Sequence, residues 1–171
     1  YLDAKRAHAR ATRAFEHHVI VPGPAERHQD GRHELPSLRF AAANGYRVPL
    51  GVGALARTLS GLRPDVVLLH DPFWGPLNTA AAAHAVGARV VAVHHGSAEL
   101  DAAGLPGPSR LYAGILRRWM RRAYRSVDAV MSAVPTERDV RRRATLPLGL
   151  GVDSAFRPRP HVRRGGHVLY V

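Results

Sequence analysis

Three segments of this chain hold apolar residues at consecutive positions rather than at alternate ones: Val66-Val-Leu-Leu69, Arg89-Val-Val-Ala-Val93 from its second residue, and Ala129-Val-Met131. A strand with one wet face alternates apolar and polar residues, whereas a strand apolar throughout is covered on both faces. Helical stretches separate the three. Residues 53–62 put Leu55, Leu59 and Leu62 on one side, residues 80–86 are closed by Gly87, and residues 109–127 form the longest helix, with Ser109 as its expected N-cap. Buried strands alternating with helices predict an α/β fold, a Rossmann-like parallel sheet with helices on both faces. A chain of 171 residues is long enough for such a core.

The flanks are less regular. Residues 1–15 lack Gly and Pro and read as a helix. His18-Val-Ile-Val21 reads as a buried strand stopped by Pro22-Gly23-Pro24. Residues 25–50 read as irregular, with short strands near His33-Glu34-Leu35 and Arg47-Val48-Pro49. Residues 136–144 read as a short basic helix and Leu146-Pro-Leu148 as a further strand. The stretch 149–166 is rich in Gly, Pro and Arg, like a linker, and His167-Val-Leu-Tyr-Val171 would open a new strand. The expected organisation is an acceptor-side domain over 1–148, a linker over 149–166 and the first strand of a second domain over 167–171. The chain opens at Tyr1 without Met and closes inside an apolar run, so both ends read as cut.

The charge balance narrows the partners. Lys+Arg number 25 against 13 Asp+Glu, a net charge of +12, and Lys5 is the only lysine. A GC-rich codon bias accounts for abundant Arg, Ala, Gly and Pro; an anionic partner (sugar phosphate, phospholipid surface or nucleic acid) accounts for the charge itself. With no cysteine, disulfides, thiolate metal sites and cysteine nucleophiles are excluded. No apolar run reaches the ~18 residues of a membrane span, and no signal peptide is visible. The expected place is cytoplasmic, peripheral at the inner face of the plasma membrane.

Parallel sheets bind ligands at the carboxyl ends of their strands. There the sequence puts His70-Asp71-Pro72-Phe73-Trp74-Gly75 after one strand and His94-His95-Gly96-Ser97 after the next. Imidazoles at such an edge donate to sugar hydroxyls or phosphate oxygens and move protons. Gly75 and Gly96 would let backbone approach a ligand. A strand-end histidine also serves as a merely hydrogen-bonded structural residue. Metal binding is a third reading of His70, Asp71, His94 and His95; neighbouring strand residues point to opposite faces, so His94 and His95 do not easily share an ion, and no metal is expected. No nucleophile elbow, Walker-type loop or Gly-x-Gly-x-x-Gly is present, and Gly51-Val-Gly53 reads as a turn.

In the longest helix Leu111, Ile115, Trp119, Ala123 and Val127 recur every four residues and are expected to face the core. Arg117, Arg118, Arg121, Arg122 and Arg125 occupy the other side. That side is either a solvated face or one that contacts anionic lipid headgroups. Nucleic acid fits less well, because no RNA- or DNA-binding motif accompanies the charge.

Four segments resemble a known family in its order. Arg63-Pro-Asp-Val-Val-Leu-Leu-His-Asp-Pro-Phe73 resembles the "RPDVVHVH" strand of the family 4 retaining glycosyltransferases, and Arg89-Val-Val-Ala-Val-His-His-Gly96 their next strand. Val127-Asp-Ala-Val-Met131 resembles their "aDavia" segment, and Leu148-Gly-Leu-Gly-Val-Asp-Ser-Ala-Phe-Arg-Pro158 their "pnGvD...F.P" segment, with Leu150 in place of the Asn. The nearest likeness is to actinobacterial-type mannosyltransferases acting on lipid or cell-envelope acceptors. The resemblance implies a GT-B fold whose first domain binds the acceptor and whose second binds a nucleotide-sugar donor. It implies retention of configuration, no cofactor beyond the donor as substrate, and a departing diphosphate that helps deprotonate the acceptor hydroxyl. By motif match His95, or His94 if the alignment slips by one, falls on the active-site His that contacts the donor sugar. His70, Asp71, Gly96 and Ser97 would line the cleft. The implied partners are the nucleotide-sugar, held mainly by the second domain, and a lipid or glycan acceptor. Without that domain the chain is expected not to turn over. A relative that has lost catalysis, and a stand-alone basic module binding anionic membrane or nucleic acid, are the competing readings.

Overall fold

The computed structural model describes residues 7–9, 11–13, 15–39, 47–70, 75–95, 98–105, 107–132 and 144–147. Its larger sheet is parallel throughout: β5 (Val66–Leu69), β6 (Arg89–His94), β7 (Ala129–Ser132) and β8 (Ala144–Pro147), in that spatial order. Helices α1 (Gly53–Leu62), α2 (Pro76–Ala85), α3 (Ala98–Ala103) and α4 (Ser109–Arg125) lie between the strands in the chain. The core is the apolar set predicted from the strand runs. Val90, Ala92 and Val130 pack with Leu55, Leu59 and Leu69, with Ala80 and Ala83 of α2, and with Met120 and Tyr124 of α4. The Rossmann-like α/β expectation holds.

The amino edge of this sheet is pinned by Asp128. Its carboxylate accepts the Val90 backbone N–H at 2.8 Å, His84 Nε2 at 3.0 Å and Arg89 Nη1 at 3.1 Å. One side chain thus ties the end of α2, the start of β6 and the start of β7.

A second sheet precedes it. β1 (Val19–Gly23) runs parallel to β3 (Arg32–Arg39); β2 (Arg27–Gln29) and β4 (Arg47–Pro49) pair antiparallel with β3. The two short strands expected near 33–35 and 47–49 are present, the first longer than expected, and β2 is an additional strand in the stretch read as irregular. Along β3 burial alternates, with His33, Leu35 and Ser37 inward. Polar residues at two of those three positions hide the period-2 signal. The β2–β3 turn is Asp30-Gly31, both with positive φ (47° and 73°), the conformation that a tight hairpin needs and that Asp-Gly supplies. β1 does not stop at Pro22. It continues to Gly23 because it is the sheet's edge, where a missing N–H is tolerated. Gly23 is required there: a Cβ would lie 2.8 Å from that of Glu34.

Other expectations shift. α2 begins at Pro76, four residues before the predicted start, because proline is pre-set for the first helical position. A short helix, α3, occupies part of the predicted loop. Pro108, not Ser109, is the N-cap of α4, and no side chain caps it. β5 is not covered on both faces: Val66 and Leu68 are 53% and 42% exposed. On α4, Leu111 and Ile115 are exposed, and the buried residues are Ala113, Met120, Ala123 and Tyr124. Residues 7–9 and 11–12 are helical, in line with the predicted N-terminal helix. Ala144 belongs to β8 rather than to the predicted basic helix, whose remaining residues, like the linker and final strand, lie outside the described residues.

The Val90 N–H first, then His84 and Arg89, hold the Asp128 carboxyl at about 2 rather than the usual 3.8. A depressed carboxylate stabilises the fold above its unfolded pKa and loses that contribution as pH falls through the folded value. Asp128→Asn should therefore be less stable than wild type at pH 7 in urea unfolding. The gap should close between about pH 4 and pH 2. A gap constant down to pH 2 would contradict the assignment.

Candidate active site

β5 and β6 are parallel neighbours with Leu69 opposite Ala92, so their carboxyl ends lie side by side. His70 follows β5 directly and His95 follows β6. The two rings are nearly parallel, with centroids 5.4 Å apart and 17° between planes, and meet edge to edge, with His70 Nδ1 3.1 Å from His95 Nε2. Two neutral imidazoles joined by one hydrogen bond present opposite chemistry at their outer nitrogens. If His70 donates, His95 Nδ1 carries a hydrogen and His70 Nε2 a lone pair; if His95 donates, the roles exchange. A hydroxyl, which both donates and accepts, suits such a pair.

His94 goes the other way. It is 4% exposed, and its Nδ1 lies 2.7 Å from the Tyr124 hydroxyl on α4. The alternation along β6 separates the two histidines: His94 anchors the strand end in the core, and His95 is exposed beside His70. Tyr124 carries no signal in the sequence that would single it out. Its role depends on α4 packing across β6.

The same edge carries a cavity of about 320 Å³, lined by Leu35 and Pro36 of β3, residues 50–55 and the start of α2 at Gly75, Asn78 and Thr79. Two helix amino ends meet there, α1 at Gly53 and α2 at Pro76, and neither has an acidic residue in its first turn. The amino ends of helices favour negative charge beside this largely apolar space. Gly75 adopts φ 59°, which lets α2 turn sharply into this edge.

A match to the family model for Glycosyltransferase Family 4 spans residues 5–147, 143 of the 171 positions. The chain belongs to glycosyltransferase family 4. Its sheet and helices are the Rossmann-like N-terminal domain of the GT-B fold. No curated protein and no solved structure matches the chain. Asp71, Gly96 and Ser97 lie outside the described residues of this family 4 domain. Among the described residues no three His, Asp or Glu side chains are placed to hold a metal ion.

The arginines of α4 divide. Arg117 is turned to Glu99 of α3 by an ion pair, while Arg118 and Arg122 are exposed. With Leu111 and Ile115 they follow a 4-3-4 spacing and share one helix face, so apolar and cationic groups stand together rather than on opposite sides. A groove runs along this helix, lined by Gly114, Arg117, Arg118, Arg121, Arg122 and Arg125. No helix among the described residues is long and apolar enough to cross a membrane.

Removing the Tyr124 hydroxyl strips a buried imidazole of a partner. Tyr124→Phe should cost about 1–3 kcal/mol in denaturant unfolding, against no measurable change for Tyr112→Phe. Equal stability of Tyr124→Phe and wild type would remove His94 as an anchor of the strand end.

Proposed function

We propose that this domain is the acceptor-side half of a retaining hexosyltransferase that moves mannose or glucose from a nucleotide-sugar to a lipid, glycan or cell-envelope acceptor. The observation that carries this reading is the exposed His70–His95 pair at the carboxyl edge, beside an apolar cavity that two helix amino ends overlook. His95 contacts the donor sugar, and His70 lines the cleft. His94, buried on Tyr124, is the supporting residue rather than the contacting one. Asp71, Gly96 and Ser97 are assigned to substrate binding by their place after the two strands. In the reaction the C1–O bond to the diphosphate breaks and the acceptor oxygen bonds to C1 on the same face. The acceptor proton passes to the leaving diphosphate. The domain then has to position groups rather than supply a strong base.

The face of α4 formed by Leu111, Ile115, Arg118 and Arg122 supports peripheral contact with an anionic bilayer. The apolar pair would sit at the acyl boundary and the guanidinium groups on phosphates. This would bring a lipid acceptor to the domain without a membrane span.

In the enzyme that carries this domain, His95→Ala should lower hexose transfer from GDP-mannose or UDP-glucose to a phospholipid or oligosaccharide acceptor by at least about 100-fold, with the thermal unfolding midpoint unchanged. Wild-type turnover in that variant would end the assignment. Arg118→Gln with Arg122→Gln should weaken co-sedimentation of the chain with phosphatidylglycerol vesicles by about 30-fold, from about 1 kcal/mol per arginine. Sedimentation equal to wild type would make this a solvated face only.

A further inference from the structure

The small sheet holds three imidazoles in one hydrogen-bonded chain, away from the candidate active site. His18 immediately precedes β1, His28 is in β2, and His33 of β3 lies between them, directly opposite His28. His33 is inward, 9% exposed. Its Nε2 is 3.0 Å from His18 Nδ1, and its Nδ1 is 2.8 Å from His28 Nδ1. The outer nitrogens end on carboxylates: His18 Nε2 on Glu16 Oε1 at 2.8 Å, and His28 Nε2 on Glu26 Oε1 at 3.2 Å. The result is an unbroken line, Glu16–His18–His33–His28–Glu26. It is not a metal cage, because His33 spends its two nitrogens on different neighbours and the three rings share no common point.

Counting hydrogens decides what this line can do. It contains four hydrogen bonds, and each needs one bridging hydrogen. Ionised carboxylates bring none, and three neutral imidazoles bring one each. Three hydrogens leave one gap in which two lone pairs face each other. Four fill every gap. A fifth would set two N–H groups against each other in one gap. The filled line therefore contains a single imidazolium, whatever tautomers the other rings adopt.

The surroundings decide where that charge sits. Burial first, and then the charges of His18 and His28, lower the His33 pKa, which disfavours charge on the central ring. The charge belongs on an outer ring, against Glu16 or Glu26. Other titratable groups face the line: Arg13 and His17 line one cavity with Glu16, His18 and Asp30. Arg57 of α1 donates to Glu26 Oε2 at 3.1 Å, and Arg32 and Glu34 of β3 pair with each other at 3.2 Å. Arg27 of β2 and Asp30 of the turn flank the hairpin, and β1 itself has no titratable side chain. The hydrogen bond of His28 first, and then Arg57, hold the Glu26 carboxyl below the usual carboxylate range, so it stays an acceptor.

From this geometry we infer that Glu16–His18–His33–His28–Glu26 is a one-proton switch. It fastens the β2–β3 hairpin and the chain before β1 into one sheet when its imidazoles hold one proton beyond neutrality. It loosens when they hold none or take a second. Arg57 carries the fastening to α1, whose amino-terminal turn lines the cavity of the candidate site.

The signs follow from linkage. In the unfolded chain the three rings titrate independently near 6.5, holding together about one proton at roughly pH 6.8 and close to three at pH 5.5. The folded line with all four hydrogen bonds made holds one. Above about pH 6.8 the folded state binds more protons than the unfolded one, so stability falls as pH rises. Below it the unfolded state binds more, so stability falls as pH falls. The contribution is bell-shaped and peaks at about pH 6.8.

Nitrogen-15 NMR of the histidine rings, with amide exchange of residues 27–34, tests this on the 171-residue chain. The three rings should carry one imidazolium in total from about pH 7 to pH 5.5, with His33 neutral, and hairpin protection should peak at about pH 6.8. Glu16→Gln with Glu26→Gln leaves the buried ring untouched but removes the anions that hold the charge, and should reduce protection at pH 6.8 by roughly tenfold. His33→Gln should abolish the bell; if that variant does not fold, the glutamine pair decides. Three rings that titrate independently, or protection in the glutamine pair equal to wild type, would overturn the inference.

Discussion

Everything at the candidate site depends on the burial of β6 between β5 and β7. Its backbone groups pair on both sides, and Val90 and Ala92 are essentially inaccessible. A strand held in this way has no freedom to rotate, so the side chains at its carboxyl end are directed by the pleat. His94 is delivered inward to Tyr124 and His95 outward to His70. Asp128 completes the arrangement at the opposite edge. By accepting the Val90 N–H it fixes where β6 begins, and so the register with which its far end meets β5.

Two electrostatic arrangements occupy the two sheets. At the carboxyl edge of the large sheet, an imidazole pair follows β5 and β6, and the amino ends of α1 and α2 line an apolar cavity. In the small sheet, three imidazoles in a row end on a carboxylate at each side, and Arg57 of α1 joins the line at Glu26. Clusters of the same residue type thus do different things. What differs is the setting: one cluster ends on carboxylates of the chain, and the other stands at the carboxyl ends of two parallel strands.

Much of the large sheet was legible in the sequence. β5, β6, β7 and α1 lie where the apolar runs and the leucine spacing place them, because burial on both faces or on one helical stripe leaves an unambiguous pattern. The small sheet was far less legible. β3 turns His33 and Ser37 inward, so its pattern looks polar, and its clearest local signal is the Asp30-Gly31 turn. On α4 the four-residue period puts Ala123 and Val127 in the core, as expected, but not Leu111 and Ile115. That period drifts round the helix, and the face actually buried runs through Ala113, Met120, Ala123 and Tyr124. Leu111 and Ile115 were left beside arginines as a result.

By itself the sequence determined the fold class, the strands of the parallel sheet and the presence of histidines at two neighbouring strand ends. These depend on local periodicity and on chain order, which a linear reading retains. Only the tertiary structure decided which histidine is buried and which is exposed, that Tyr124, fixed across the sheet by α4, is the partner of His94, and that His18, His28 and His33 form one line. Those outcomes depend on strand register and helix packing between residues 5 to 30 positions apart. No local pattern encodes such distances, because they are set by the one arrangement that buries the whole apolar surface at once.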